Sequence, residues 1–115
     1  MDSILTSVKR LLGIQEDYEH FDPEIIMHIN DALTTLIQIG VGPPGGFFIE
    51  DSSSVWTDFV PDDVWYFGLL PTYVYQKVKL VFDIPTSSAA IEAIKEKIAE
   101  LEWRLQVAAE SNPAT

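Results

Sequence analysis

Residues 21–42 read FDPEIIMHINDALTTLIQIGVG. Asp22 in the N-cap position, Pro23 at the first helical position and Glu24 in the first turn together mark a helix start. Gly40 marks the stop. Between them Ile25, Ile26, Ile29, Leu33, Leu36 and Ile37 recur at helical spacing and form a broad apolar stripe. The polar side carries Glu24, His28 and Asp31. A stripe that wide has to be covered by other elements, and the flanking sequence supplies helices to do it.

Upstream, Ser3 or Asp2 can cap a helix running to Leu12, with Gly13 in the C′ position. Ile4, Leu5, Val8, Leu11 and Leu12 give it one apolar face. Downstream, a further helix is expected from Pro71 to Asp83, with Val74, Val78, Val81 and Phe82 on one face, ended by Ile84-Pro85. The last helix starts at Ser87 or Ser88. Its residues Ile91, Ile94, Ile98, Leu101 and Leu105 are spaced 3-4-3-4, about two and a half heptads. That is short for a coiled coil, so packing within the domain is expected. At 100° per residue, Ala99, Trp103 and Val107 fall roughly opposite the seam. A helix with apolar residues on its far side has a second surface to cover.

Residues 41–63 contain no helical pattern. Gly42-Pro43-Pro44-Gly45-Gly46 breaks regular structure, and Phe47–Ile49 and Val55–Thr57 read as two short strands around a turn at Glu50–Ser54. Pro61-Asp62-Asp63 can open a short helical turn through Phe67. A connection this long inside a compact domain is often functional. The expected fold is therefore all-α: one four-helix domain over residues 1–110, a long inserted loop (41–63) with room for a small β-hairpin, and a flexible tail at 111–115.

The composition agrees with one small domain. The chain has 115 residues, is 47% hydrophobic and only 22% charged, which is too apolar for a disordered segment. With no cysteine, disulfides, thiol nucleophiles and Cys-ligated metals are excluded. The Met1-Asp2-Ser3 start lacks a basic region followed by an apolar run, so a signal peptide is not expected. No stretch approaches ~20 apolar residues, so no membrane span is expected.

Charge is distributed unevenly. Residues 11–76 contain no Lys or Arg but hold eleven acids, from Glu16 to Asp63. Twelve acids and two cations leave −10 over residues 1–63, out of −11 for the whole chain. A chain built to grip a phosphate backbone shows the opposite pattern. Such a half is either a solvated acidic face or a surface that repels polyanions or attracts a basic partner.

The constellations that could carry chemistry are weak. Gly40-x-Gly42-x-x-Gly45 has the letters of a dinucleotide fingerprint but follows a helix rather than a strand, and Pro43 and Pro44 remove two N–H donors. Glu24, His28 and Asp31 share a helix face and, with His20 and Asp22 nearby, could ligate a metal; a polar exposed face explains them as well. Neither histidine shares a local motif with a serine, and Asp62-Asp63 do not face each other, so no catalytic group is expected. The aromatic run from Trp56 to Phe82 lies among acids rather than lysines, which favours core and protein interface over base stacking. No catalytic, cofactor-binding or metal site is assigned, and no cofactor is expected.

Taken together, segments 4–14 (ILTSVKRLLGI), 21–42, 72–88 (TYVYQKVKLVFDIPTSS) and 97–105 (KIAELEWRL) resemble the head–tail connector (adaptor) proteins of tailed bacteriophages. The order helix, helix, long loop, helix and Trp-bearing last helix carries the match. Gly68 and Pro71 depart from it, since the third helix is often more continuous in such proteins. The resemblance implies a structural virion protein at the head–tail junction, assembled in the host cytoplasm. It implies a homo-oligomeric ring, dodecameric under a twelvefold portal, between the portal and a stopper or tail-completion protein. DNA would pass through without specific binding. Ala99, Trp103 and Val107 would then meet the portal or a neighbouring subunit. The loop, through Phe47, Phe48, Glu50, Asp51, Trp56 and Asp58, would face the lumen or the next ring and order only on assembly. The alternative, read from charge alone, is an acidic binding module or DNA mimic that sequesters a basic partner.

Overall fold

The computed structural model describes residues 3–111, without the side chain of Ser111. Among these residues there are five helices and no strand: α1 (Ile4–Leu12), α2 (Asp22–Gln38), α3 (Trp56–Phe59), α4 (Leu69–Phe82) and α5 (Ser88–Ser111). The molecule is a slab of 38 × 34 × 20 Å, its short dimension about two helix diameters. Helix α4 is the hub and packs against α1, α2 and α5. Its buried side chains are Leu70, Tyr73, Val74 and Val78.

The ends of α1 follow the sequence signals. The Ser3 hydroxyl accepts the Thr6 N–H at 3.2 Å, and Gly13 adopts φ +82°, its N–H returning to the Arg10 carbonyl. The Asp2 alternative for this cap lies outside the described residues. In α5 the Ser87 hydroxyl accepts the Ala90 N–H at 3.2 Å. Ile98, Leu101 and Leu105 are buried as the seam predicts, and Ala108 and Ala109 extend it. Ser111 is the last residue of α5, and the remainder of the expected tail, 112–115, lies outside the described residues.

Four expectations need correction. Asp22 is the first residue of α2 rather than its cap; its carboxylate is taken by Lys9 at 2.8 Å, and Phe21, with no side-chain cap, precedes the helix. Helix α4 starts two residues before Pro71, which sits in the first turn, where its missing N–H costs no hydrogen bond. Val81 is exposed, and Phe82 is covered instead, by the edge of Phe21 at 5.3 Å. Beyond α3, residues 62–68 form short turns, with the Phe67 N–H donating to the Val64 carbonyl at 3.1 Å, in keeping with the turn signal at Pro61-Asp62-Asp63.

The fourth correction concerns the loop. No hairpin forms, because each expected strand finds a different partner. Val55 makes an isolated antiparallel bridge with Ser3, and the Ile4 N–H donates to the Ser54 carbonyl at 2.9 Å. Trp56 turns into α3 and is only 3% exposed; its indole N–H donates to the Ser7 hydroxyl on α1 at 2.9 Å. The Ile49 end is held by Asn30 of α2. The Asn30 carboxamide accepts the Ile49 N–H at 2.8 Å and donates to the Ile49 carbonyl at 3.0 Å. The loop is thus pinned at Ile49 and at 54–56 within one chain, and assembly is not needed to order it. An Asn30→Leu variant is expected to lose about 2 kcal/mol, since it strands the N–H and carbonyl of the buried Ile49. Urea unfolding measures it.

Candidate interaction surfaces

The α5 face opposite the seam is open. Trp103 is 67% exposed, Val107 and Ala99 are also exposed, and Glu96, Glu100, Gln106 and Glu110 are exposed around them. Arg104 and Lys97 both reach Glu100, at 3.4 and 3.7 Å. One residue from Trp103, Glu102 accepts the Tyr73 hydroxyl of α4 at 2.7 Å. Burial first, and this hydrogen bond second, hold the Tyr73 proton well above the usual phenol range. The bond ties α5 to the hub and fixes the rotation that turns Trp103 outward.

The loop residues divide. Phe48 is 68% exposed, and Glu50, Asp51 and Asp58 are exposed as well. Phe47 is half-buried with its ring edge-on to Phe59 at 5.3 Å. Trp56 belongs to the core, because its indole fills space beside α1; the sequence reading that placed it on the projecting surface fails on that burial. The Asp58 carboxylate accepts the Val55 N–H at 2.9 Å and so caps α3. Hydrogen bonds from the Ser53 hydroxyl, then the Ser53 N–H, lower the Asp51 pKa and keep it ionised.

Of the two cations in the acidic half, Lys9 is not a surface charge. It is 2% exposed, and its ammonium reaches the carbonyls of Glu16 (3.0 Å) and Tyr18 (2.8 Å) and the Asp22 carboxylate. An open cavity of about 510 Å³ beside it is lined by Glu16, Glu19, Asp22, Glu50 and Asp51. Neither Lys9 nor Asn30 was assigned a role from sequence. Their partners lie 7 to 19 positions away and leave no local periodicity to read.

The remaining constellations are dispersed or structural. Glu24 and His28 stand 3.7 Å apart as a helix pair, and among the described residues no group of three or more His, Asp or Glu could hold a metal. Gly40 and Gly42 take positive φ (+102° and +101°) to turn the chain off α2, as a helix stop requires. In the aromatic run, Trp56, Phe59, Tyr66 and Tyr73 are buried and Trp65 is exposed. Among the described residues no helix is long and apolar enough to cross a membrane.

No curated protein and no solved structure matches the chain. The model of a family described as phage connector protein matches residues 4–112, so it spans every helix and the pinned loop. That match covers nearly the whole chain, and the protein belongs to the phage connector protein family.

Proposed function

We propose that the protein is a structural head–tail connector, which assembles as a ring, dodecameric under a twelvefold portal, between the portal and a stopper or tail-completion protein. It performs no chemistry and leaves a passage for the genome. The Ala99–Trp103–Val107 stripe meets the portal or a neighbouring subunit. Phe47, Phe48, Glu50, Asp51 and Asp58 face the lumen or the next ring. The reading implies a place in the virion at the head–tail junction, after assembly in the host cytoplasm.

The observation that carries the reading is a 67%-exposed tryptophan on the outer face of a helix whose inner face is sealed, in a chain of this family. Exposed indoles are the typical anchors of protein interfaces. The charge pattern supports it as well. DNA presents one negative charge per ~1.7 Å of axis, so a conduit from which it must slide should avoid basic walls. With Lys9 buried, the first half adds little positive potential.

Trp103→Asp is expected to leave the monomer folded and to abolish assembly with portal protein. Ile98→Asp, on the buried seam, is expected to unfold the domain by burying a charge. Circular dichroism reads the fold; light scattering and negative-stain imaging of mixtures with portal read assembly. Full assembly by folded Trp103→Asp protein overturns the stripe's role. A wild-type chain that ignores portal but binds a basic nucleic-acid-binding protein favours the DNA-mimic reading.

A further inference from the structure

A second exposed surface lies away from the α5 stripe. Four rings form a continuous chain where the α1–α2 connection meets the end of α4. Tyr18 lies 5.8 Å from Phe21 and 6.1 Å from His20, His20 lies 4.8 Å from Phe21, and Phe21 lies 5.3 Å from Phe82. Tyr18 is half exposed, Phe21 and His20 are exposed, and Phe82 is half-buried. The Tyr18 segment is held in place by Lys9, which spends two of its three donors on the carbonyls of Glu16 and Tyr18. An exposed aromatic cluster on a backbone fixed in advance has the makings of a binding surface, since little ordering is needed to use it.

The charges around the rings indicate the partner. Asp17 and Glu19 flank Tyr18, and Asp83 follows Phe82. Among the described residues the Asp17 and Glu19 side chains form no ion pair. The cations of the chain are already engaged. Lys9 is paired with Asp22, Lys77 with Glu102, Lys79 with Asp83, Lys95 with Glu92, and Lys97 and Arg104 with Glu100. Arg10 has a partner too. A second copy, itself carrying −11, is repelled as a whole by the same acids, and each of its Lys and Arg side chains already has a partner in its own chain. Nucleic acid is repelled by the same carboxylates. The complementary group is a planar cation that stacks on rings and accepts carboxylates, which describes a guanidinium better than an ammonium.

We propose that the Tyr18–Phe21–Phe82 patch docks an arginine-bearing segment of a different protein, its guanidinium stacking on the exposed rings and meeting the Asp17 and Glu19 carboxylates. The proposal is independent of which protein covers the α5 stripe.

The test is an amide chemical-shift titration of the isotope-labelled full chain at low salt. The probes are three acetylated pentapeptides that alternate glycine with arginine, lysine or glutamate. The arginine peptide is expected to shift residues 17–22 and 82–84 and to bind about three- to fivefold more tightly than the lysine peptide. The glutamate peptide is expected not to bind. Tyr18→Ala, at a half-exposed position, should remain folded and weaken arginine binding by a similar factor, whereas Trp103→Ala should leave it unchanged. Equal binding of lysine, shifts spread over the acids at 50–58 and 96–110, or indifference to Tyr18→Ala would overturn the proposal. So would concentration-dependent broadening of residues 17–22 without peptide, which would assign the patch to a second copy.

Discussion

Replacing Lys9 with methionine is expected to lower the unfolding free energy by about 3 kcal/mol, at the lower end of the cost of stripping one partner from a buried ion pair. Methionine, one atom shorter and unbranched, keeps most of the apolar stem of the side chain, so the packing around that stem changes little. What is lost is an ammonium whose three contacts, at 2.8 to 3.0 Å, satisfy two carbonyls and the Asp22 carboxylate. The Asp22 side chain retains some contact with water, 20% exposed, which places the estimate low in the range. Adding Asp22→Asn should recover part of the loss, because the bare carboxylate is then gone. Urea midpoints of the two single variants and the double variant measure the coupling. A loss under about 1 kcal/mol would mean that water replaces the ammonium, as at a surface pair.

Gly42→Ala is expected to cost about as much, by a different route. A Cβ at Gly42 would stand 2.5 Å from two carbons of the Phe59 ring, and the backbone there has φ +101°. Overpacking a filled site costs about 1–3 kcal/mol and a strained backbone adds a similar amount, giving about 3 kcal/mol in sum. Phe59 is buried beside Phe47, so its ring has little room to retreat. Gly13→Ala is the matched comparison. Its φ is +82°, but a Cβ there meets nothing within 4 Å, so only the backbone cost of about 1 kcal/mol remains. The difference between the two midpoints isolates the contact with the ring. Equal losses would show that Phe59 swings aside.

The parts of the fold that were legible in sequence are those set by neighbours a few residues apart. The caps of α1, the stop after α2, the buried seam of α5 and the outward Trp103 all follow from i, i+3 and i+4 relations. The parts that were not legible depend on distant partners. Asp22 reads as a cap because its local signals are those of a cap, yet a buried lysine thirteen positions earlier claims it. Val55 and Trp56 read as a strand because Val-Trp-Thr has strand-like composition, but their partners are Ser3, the cap of α1, and Ser7 within α1. Of the candidate surface, the α5 stripe was readable from periodicity. Trp56 was misplaced for the same reason as the hairpin: burial by α1 is not written in the loop. The ring cluster joins Phe21 to Phe82, 61 positions on, and no local pattern announces it.

The anchoring of residues 41–63 to α1 and α2 changes the thermodynamics of any encounter made through them. A segment that must fold as it binds gives up conformational entropy and buries its own apolar groups at that moment. Here Ile49, Trp56 and Phe59 are already sequestered in the free chain. Engagement through Phe48 and its acidic neighbours therefore amounts to rigid docking, with a heat-capacity change scaled to the contact footprint alone.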